Sequence, residues 1–270
     1  MKFLSKCYLG IIFVFLYAPI IVMIAFSFNA SKSRSVWSGF TFDWYSKLFN
    51  DESIIDALKT TLIVAVVAAV FATIIGTLAS IGISAMKSKV RSIIMTATNI
   101  PMVNPEMVTG VTLMLQFVSV FAALAKIGIE LEFGIITLIL AHISFNIPYV
   151  ILSVMPKLRQ MNKHSYEAAL DLGCNPFTAF FKVVIPEIMP GIMTGMLMAF
   201  PLSLDDFVIS YCTSGTSAQT LSVLIYSMTR KNVSPKINAL SALMFVTVFL
   251  LMLIVNLRQM NDDVKEGAKQ

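Results

Sequence analysis

The sequence predicts an all-α polytopic membrane protein of about six transmembrane helices. Three observations carry this. Charged residues make up only 13% of the 270 positions, about half the share of a soluble domain. Apolar stretches near 7–28, 57–84, 93–123, 133–155, 191–212 and 237–257 each reach the roughly 20 residues a helix needs to cross a ~30 Å hydrocarbon core. None of them alternates polar with apolar residues, the pattern of a membrane β-strand. Helices are then the way to pair every backbone group inside lipid.

The first stretch follows Lys2 and Lys6, as a signal peptide would. Its apolar core is too long and no clear small-x-small cleavage site follows, so it reads as an uncleaved first helix. The connection 29–56 clusters Trp37, Phe40, Phe42, Trp44 and Tyr45. That composition suits a membrane-interface belt, or a surface for an external partner. Six spans put both termini on one side. That side carries twelve Lys and Arg against eight on the other, and the short dense loop with Lys87, Lys89 and Arg91 makes it cytoplasmic. The net charge of +5 is then a matter of topology, and no nucleic acid is expected as a partner. Cys7, Cys174 and Cys212 give neither a disulfide framework nor a metal spacing. No GxxxxGK[ST] sequence is present, so ATP is not expected to bind this chain through a P-loop.

The third and fifth stretches carry acids where acids are costly. In "IPMVNPEMV", Asn104 is placed as an N-cap, Pro105 as the first helical residue and Glu106 just after it. In "AFPLSLDDF", Pro201 disrupts the helix and Ser203–Asp206 has the S-x-x-D spacing of a capping box. A half-helix starting at Ser203 would hold Asp205 and Asp206 in its first turn, where the helix dipole favours them. Capping needs only one acid. Broken helices carrying carboxylates at a matching depth point to a transport path, and acids without Lys or Arg in the same spans point to a cationic substrate. Asp205, Asp206 and Glu106 are therefore candidate path residues. His142 and Asn146, four apart on one face of the fourth span, either line the path or bond a neighbouring helix. "GIMTG" (191–195) has the GxxxG spacing of close helix packing. "LSVLIYSM" (221–228) is too short to span and reads as a re-entrant or surface helix.

The connection 156–190 is expected to be cytoplasmic and ordered. "NKHSYEAALDLG" reads as a short helix closed by Gly173. Asn175 and Pro176 restart a helix as N-cap and first residue, and Pro186 and Pro190 break the chain before the fifth span. Tyr166, Ala169, Leu170 and Phe177 would be left exposed, and an amphipathic helix of this kind suits a partner's groove.

"EAALDLG…VVIP" resembles the EAA loop of bacterial ABC importer permeases. Glu167, Ala168, Ala169, Gly173 and Pro186 match the family pattern, with Val183 and Ile185 standing for its usual Ile and Leu. "APIIVMIAFSFN", "AHISFNIPYVI", "LSLDDFVIS" and "VSPKINAL" extend the similarity over nearly the whole chain, to permease subunits of spermidine/putrescine importers. The resemblance implies a single permease domain of the type I ABC importer fold that catalyses no bond chemistry itself. It implies a second permease subunit as heterodimer partner. A dimeric ATP-binding subunit would carry the ATP and Mg, and an external polyamine-binding protein would deliver the substrate in a bacterial inner membrane. Glu167, Ala168, Ala169 and Gly173 would form the coupling helix that meets the ATPase. The rivals are a permease for another cation or metal, an ion-coupled carrier in which an Asp titrates, and an intramembrane aspartyl protease. The carrier gives the EAA loop no task, and the protease needs facing Asp residues from different spans.

Overall fold

The computed structural model describes residues 2–31, 36–231 and 235–267. Of the charges used to assign topology, Lys32, Arg34 and Lys269 lie outside the described residues. So do the side chains of Lys2, Lys6, Lys163, Lys231, Arg258 and Lys265, and Val233 and Ser234 of "VSPKINAL". The described residues fold as α1 (Lys2–Phe26), α2 (Asp43–Phe49), α3 (Glu52–Ala85), α4 (Ser88–Val103), α5 (Glu106–Ala125) and α6 (Ile135–Gln160). Then come α7 (Lys163–Asp171), α8 (Pro176–Ala179), a π-helical turn (Phe180–Val184), α9 (Ile185–Asp205), α10 (Val208–Thr213), α11 (Leu221–Lys231) and α12 (Pro235–Gly267). Among the described residues, five helical stretches are long and apolar enough to cross a membrane: Tyr8–Phe26, Glu52–Ala85, Glu106–Ala125, Ile135–Gln160 and Pro176–Asp205. Pro235–Leu250 of α12 is a shorter apolar helix. The "LSVLIYSM" stretch lies in α11, which is eleven residues long.

Two departures from the sequence reading concern proline. The third stretch, 93–123, is interrupted between α4 and α5 where "IPMVNPEMV" predicts a break, but the cap is not the expected one. Asn104 ends α4 rather than capping α5, and Pro105 takes the cap position with Glu106 first in the helix. Pro186 and Pro190 do not break the chain, because the helix runs from Pro176 through both. The wider π turn at Phe180–Val184 precedes Pro186, which then lies in the first turn of α9, where its missing N–H has no obligatory acceptor. Pro190 lacks an N–H and so costs the helix one backbone bond, to the carbonyl of Pro186, yet the helix continues through it.

The chain divides into two compact units, Ala57–Val223 and Met1–Asp56 with Leu224–Gln270. In the first unit, α6 is the central helix. One core cluster gathers Ala69 and Ala72 of α3, Val150, Val154 and Leu158 of α6, Val184, and Ile188 and Ala199 of α9. Small residues let the backbones approach. A Cβ on Gly76 would stand 2.7 Å from Val150 Cβ, and one on Gly191 would stand 2.9 Å from the Ser153 carbonyl oxygen and 3.2 Å from Val154 Cα. Gly195 meets Val150 in the same way. Dispersion at close range holds helices together where lipid supplies no hydrophobic drive. Gly191→Val is therefore expected to lower stability by about 1–3 kcal/mol, the usual cost of overpacking against backbone that cannot yield. Gly82→Val, at a position with nothing within 4 Å, is the control. Thermal unfolding of both purified variants checks this, and equal melting would exclude the tight α6–α9 seam.

In the second unit, Asn29 organises the chain after α1. Its Oδ1 accepts from the backbone of Ser31 and Ser38, and its Nδ2 donates to the Val36 carbonyl at 2.8 Å. Trp44 is buried and donates its Nε1–H to the Asn29 carbonyl at 2.7 Å, so it is a structural anchor rather than a free member of an interface belt. Trp37, Phe40 and Phe42 remain exposed. Phe28, Phe40, Phe42 and Tyr45 form one ring cluster. At the α2–α3 junction, Asp51 pairs with Lys236 at the start of α12. The Lys236 ammonium holds the Asp51 carboxyl below its ordinary range. A carboxyl depressed on folding contributes stability above its unfolded pKa, near 4, and loses it as pH falls through the folded value. Acidification from pH 7 to 3.5 is expected to remove about 0.5 kcal/mol more from the natural protein than from Asp51→Asn. Melting curves at the two pH values read it.

Candidate functional site

The acids lie at a corner where α9 ends and α10 begins. The helix does not stop at Pro201 or restart at Ser203. It continues to Asp205, and Asp206 turns extended with φ −62° and ψ 125°. The Asp206 carboxylate is the reason. Its Oδ1 accepts the backbone N–H of Ile209 at 3.4 Å and its Oδ2 that of Ser210 at 2.8 Å. In an unbroken helix those two N–H groups would bond the carbonyls of residues 205 and 206. The side chain replaces both acceptors, as capping carboxylates do.

Helix α6 braces this corner. Asn146 Nδ2 donates to Ser203 Oγ at 2.6 Å, just before the break. His142 Nε2 shares a hydrogen bond with Ser210 Oγ at 3.1 Å, just after it, and lies 3.7 Å from Asp206 Oδ2. His142 and Asn146 are fully buried within the chain. They fasten α6 to its neighbours. Their remaining polar atoms, His142 Nδ1 and Asn146 Oδ1, are buried with no hydrogen-bond partner among the described residues. Ser203 and Ser210 are the members of this network that the sequence did not mark as partners. Only the placement of the α6 face beside the corner reveals them.

The two aspartates separate cleanly. Asp206 has a side chain only 4% exposed and serves the backbone. Asp205 is exposed on the chain surface. Glu106, the first residue of α5, is exposed as well. Helix α5 packs on α10: a Cβ on Gly110 would stand 3.3 Å from the Val208 carbonyl oxygen and 3.2 Å from Cys212 Sγ. Both helices then run toward the start of α6, where Phe117 and Phe121 contact Phe133 and Thr137 donates to the Thr213 carbonyl. Glu106 and the Asp205–Asp206 pair thus begin at a common level. His142, seven residues into α6, sets that level at about 10 Å from the helix's start.

The connection after α6 forms a separate surface. Asn162 caps α7 by accepting from His164 N at 3.1 Å. The helix closes in a Schellman turn: Gly173 adopts φ +85°, its N–H bonds the Leu170 carbonyl, and Cys174 N–H bonds the Ala169 carbonyl. Asn175 then caps α8, accepting from Phe177 N at 2.8 Å, with Pro176 first in the helix. Glu167 is exposed, 3.3 Å from His164 Nδ1, and Ala168 is exposed beside it. The expected apolar surface is redistributed. Tyr166 packs against the α6–α9 core, and Ala169 and Leu170 are half-buried. Leu172, Phe177 and Phe181 are the apolar side chains left open.

The profile of the family described as "Binding-protein-dependent transport system inner membrane component" matches residues 72–260, which include both the corner and this loop. The chain belongs to that family. Within it, the putrescine transport system permease protein PotI of Escherichia coli is 39% identical over 240 residues, covering 87% of this chain and 83% of that one. The spermidine/putrescine transport system permease protein PotC of Escherichia coli is 34% identical over 264 residues, covering 98% and 96%. A bacterial ABC transporter chain, solved as part of an importer of the acidic polysaccharide alginate, superposes with a TM-score of 0.73 at 20% identity over 96% of each chain. This permease therefore has the type I importer fold, built of helices inserted in the inner membrane.

Proposed function

We propose that this permease is one of two membrane subunits of an ATP-driven importer and carries a polyamine, putrescine or spermidine, into the cell by alternating access. The observation that carries the substrate reading is the pair of exposed carboxylates, Asp205 and Glu106, at two helix breaks on one level. No Lys or Arg occurs in α5, α9 or α10. A carboxylate turned to lipid is costly, so an exposed acid in a span faces a partner subunit or a watery path. Separated carboxylates suit a flexible chain with several ammonium groups. The names of the polyamine permeases it resembles point the same way. Asp206, His142 and Asn146 position the corner rather than touch the substrate. The corner is joined by polar contacts around two unpaired buried atoms, which makes it the natural place for the spans to rearrange. Helix α7 with Glu167, Ala168, Ala169 and Gly173 is the coupling surface for a separate ATPase dimer, which holds ATP and Mg. Both termini lie in the cytoplasm, and an external binding protein hands over the substrate.

The test is uptake of labelled putrescine and spermidine by proteoliposomes containing this chain, its candidate partner permease and the ATPase, with binding protein outside. Uptake that requires ATP supports the reading. Uptake independent of the ATPase would replace it with an ion-coupled carrier. Polyamine-insensitive ATPase activity that answers to another cation would overturn the substrate and leave the architecture.

A further inference from the structure

Two cavities meet where the start of α4 lies beside the end of α6. The first, about 390 Å³, is lined by Arg91 and Arg159 together with Ser88, Ser92, Met95, Thr96 and Asn99. The second, about 320 Å³, is lined largely by Met95, Leu152, Met155 and Pro156. They share Met95 and Arg159, so a polar cup opens directly onto an apolar furrow. No carboxylate lines either cavity. Among the described residues neither arginine forms an ion pair, and Arg91 reaches only the Ser84 carbonyl, at 3.5 Å. Lys157 and Arg159 close the last turn of an apolar 26-residue helix, which places the cup at a membrane surface.

We propose that this two-part cavity binds one anionic phospholipid. The phosphodiester sits between Arg91 and Arg159, with hydroxyl and amide groups of α4 completing its hydrogen bonds, and the glycerol and first acyl carbons lie along Met95 and Met155. Guanidinium groups match phosphate oxygens in pairs. A second positive charge without a balancing acid selects a net-anionic headgroup over a zwitterionic one. The furrow selects a lipid over a free phosphate. This assignment is independent of what the permease transports.

The experiment is native mass spectrometry of the full-length chain with the subunits that co-purify with it. It is delipidated and then titrated with phosphatidylglycerol, with phosphatidylcholine of the same chain length, and with glycerol 3-phosphate. One phosphatidylglycerol is expected to be retained about 20–30-fold more tightly than phosphatidylcholine. Arg91→Gln with Arg159→Gln should abolish the preference, while Lys87→Gln with Lys89→Gln, outside the cup, should keep it within about threefold. If the double glutamine variant does not fold, the natural protein still decides. Phosphatidylglycerol must then raise its melting temperature more than phosphatidylcholine does. Equal retention of the two lipids, an unchanged preference in the arginine variant, or loss of the lipid in the assembled complex overturns the proposal. Displacement of the lipid by millimolar glycerol 3-phosphate would assign the cup to free phosphate esters and likewise overturn it.

Discussion

Asp206→Ala is expected to destabilise the protein by about 2–4 kcal/mol, whereas Asp205→Asn, one residue away, is expected to leave melting unchanged and remove most of the uptake. The first effect follows from two backbone bonds. Asp206 accepts from Ile209 and Ser210, and both residues are fully buried. Alanine leaves two buried N–H groups without acceptors, each costing about 1–3 kcal/mol. Asp206→Asn keeps one carbonyl acceptor and is expected to fall between. The second effect follows from exposure. Among the described residues the corner's bonds run through Asp206, Ser203 and Ser210 and none through Asp205, which leaves its charge for a substrate ammonium. One charge-assisted contact is worth about 1.5–3 kcal/mol, or roughly tenfold to a hundredfold in uptake. Thermal unfolding and proteoliposome uptake on the same three preparations separate the roles. A stable Asp206→Ala protein would remove the cap, and full uptake by Asp205→Asn would remove this acid from the path.

The helices were legible because the bilayer constrains them: a span must be long, apolar and internally bonded. The position of the α9 break was not. Ser203 and Asp206 both offer a side-chain acceptor to the following backbone, and local spacing favours the serine. What decides is α6. Asn146 engages Ser203 Oγ, so the serine is occupied across the helix interface and Asp206 caps the next helix instead. A serine's partner 57 residues away cannot be read from the four-residue S-x-x-D spacing. Proline misled as well: Pro190 and Pro201 each remove one backbone bond yet lie inside α9, and Pro186 falls in its first turn, just after the π turn. Gly173 was legible because a helix end with positive φ has almost one choice of residue. Likewise, the GxxxG of 191–195 could be recognised, but its partner surface, Val150 to Val154, could not.

The loop around α7 supports the other large effect. Glu167→Ala and Phe177→Glu are each expected to weaken retention of the ATPase subunit by about tenfold or more, without lowering the melting temperature of the membrane domain. Glu167 pairs with His164 in a surface contact 67% exposed on the glutamate side. Such a pair contributes at most about 1 kcal/mol to the fold. Phe177 is 73% exposed, and its ring lies tilted against that of Phe181, itself half open. An aromatic left uncovered beside an ordered helix has little to lose inside this chain and much to gain in a partner's groove. Gly173→Val tests the same surface by another route. Its Cβ would meet nothing within 4 Å, so the cost arises from the left-handed backbone alone, about 1–2 kcal/mol, and tilts α7 against α8. Co-purification of the ATPase with each variant, beside melting of the permease, reads the outcome. Undiminished retention in all three would mean that the ATPase docks elsewhere. A parallel fall in retention and melting would mean that these residues hold the permease together rather than its partner.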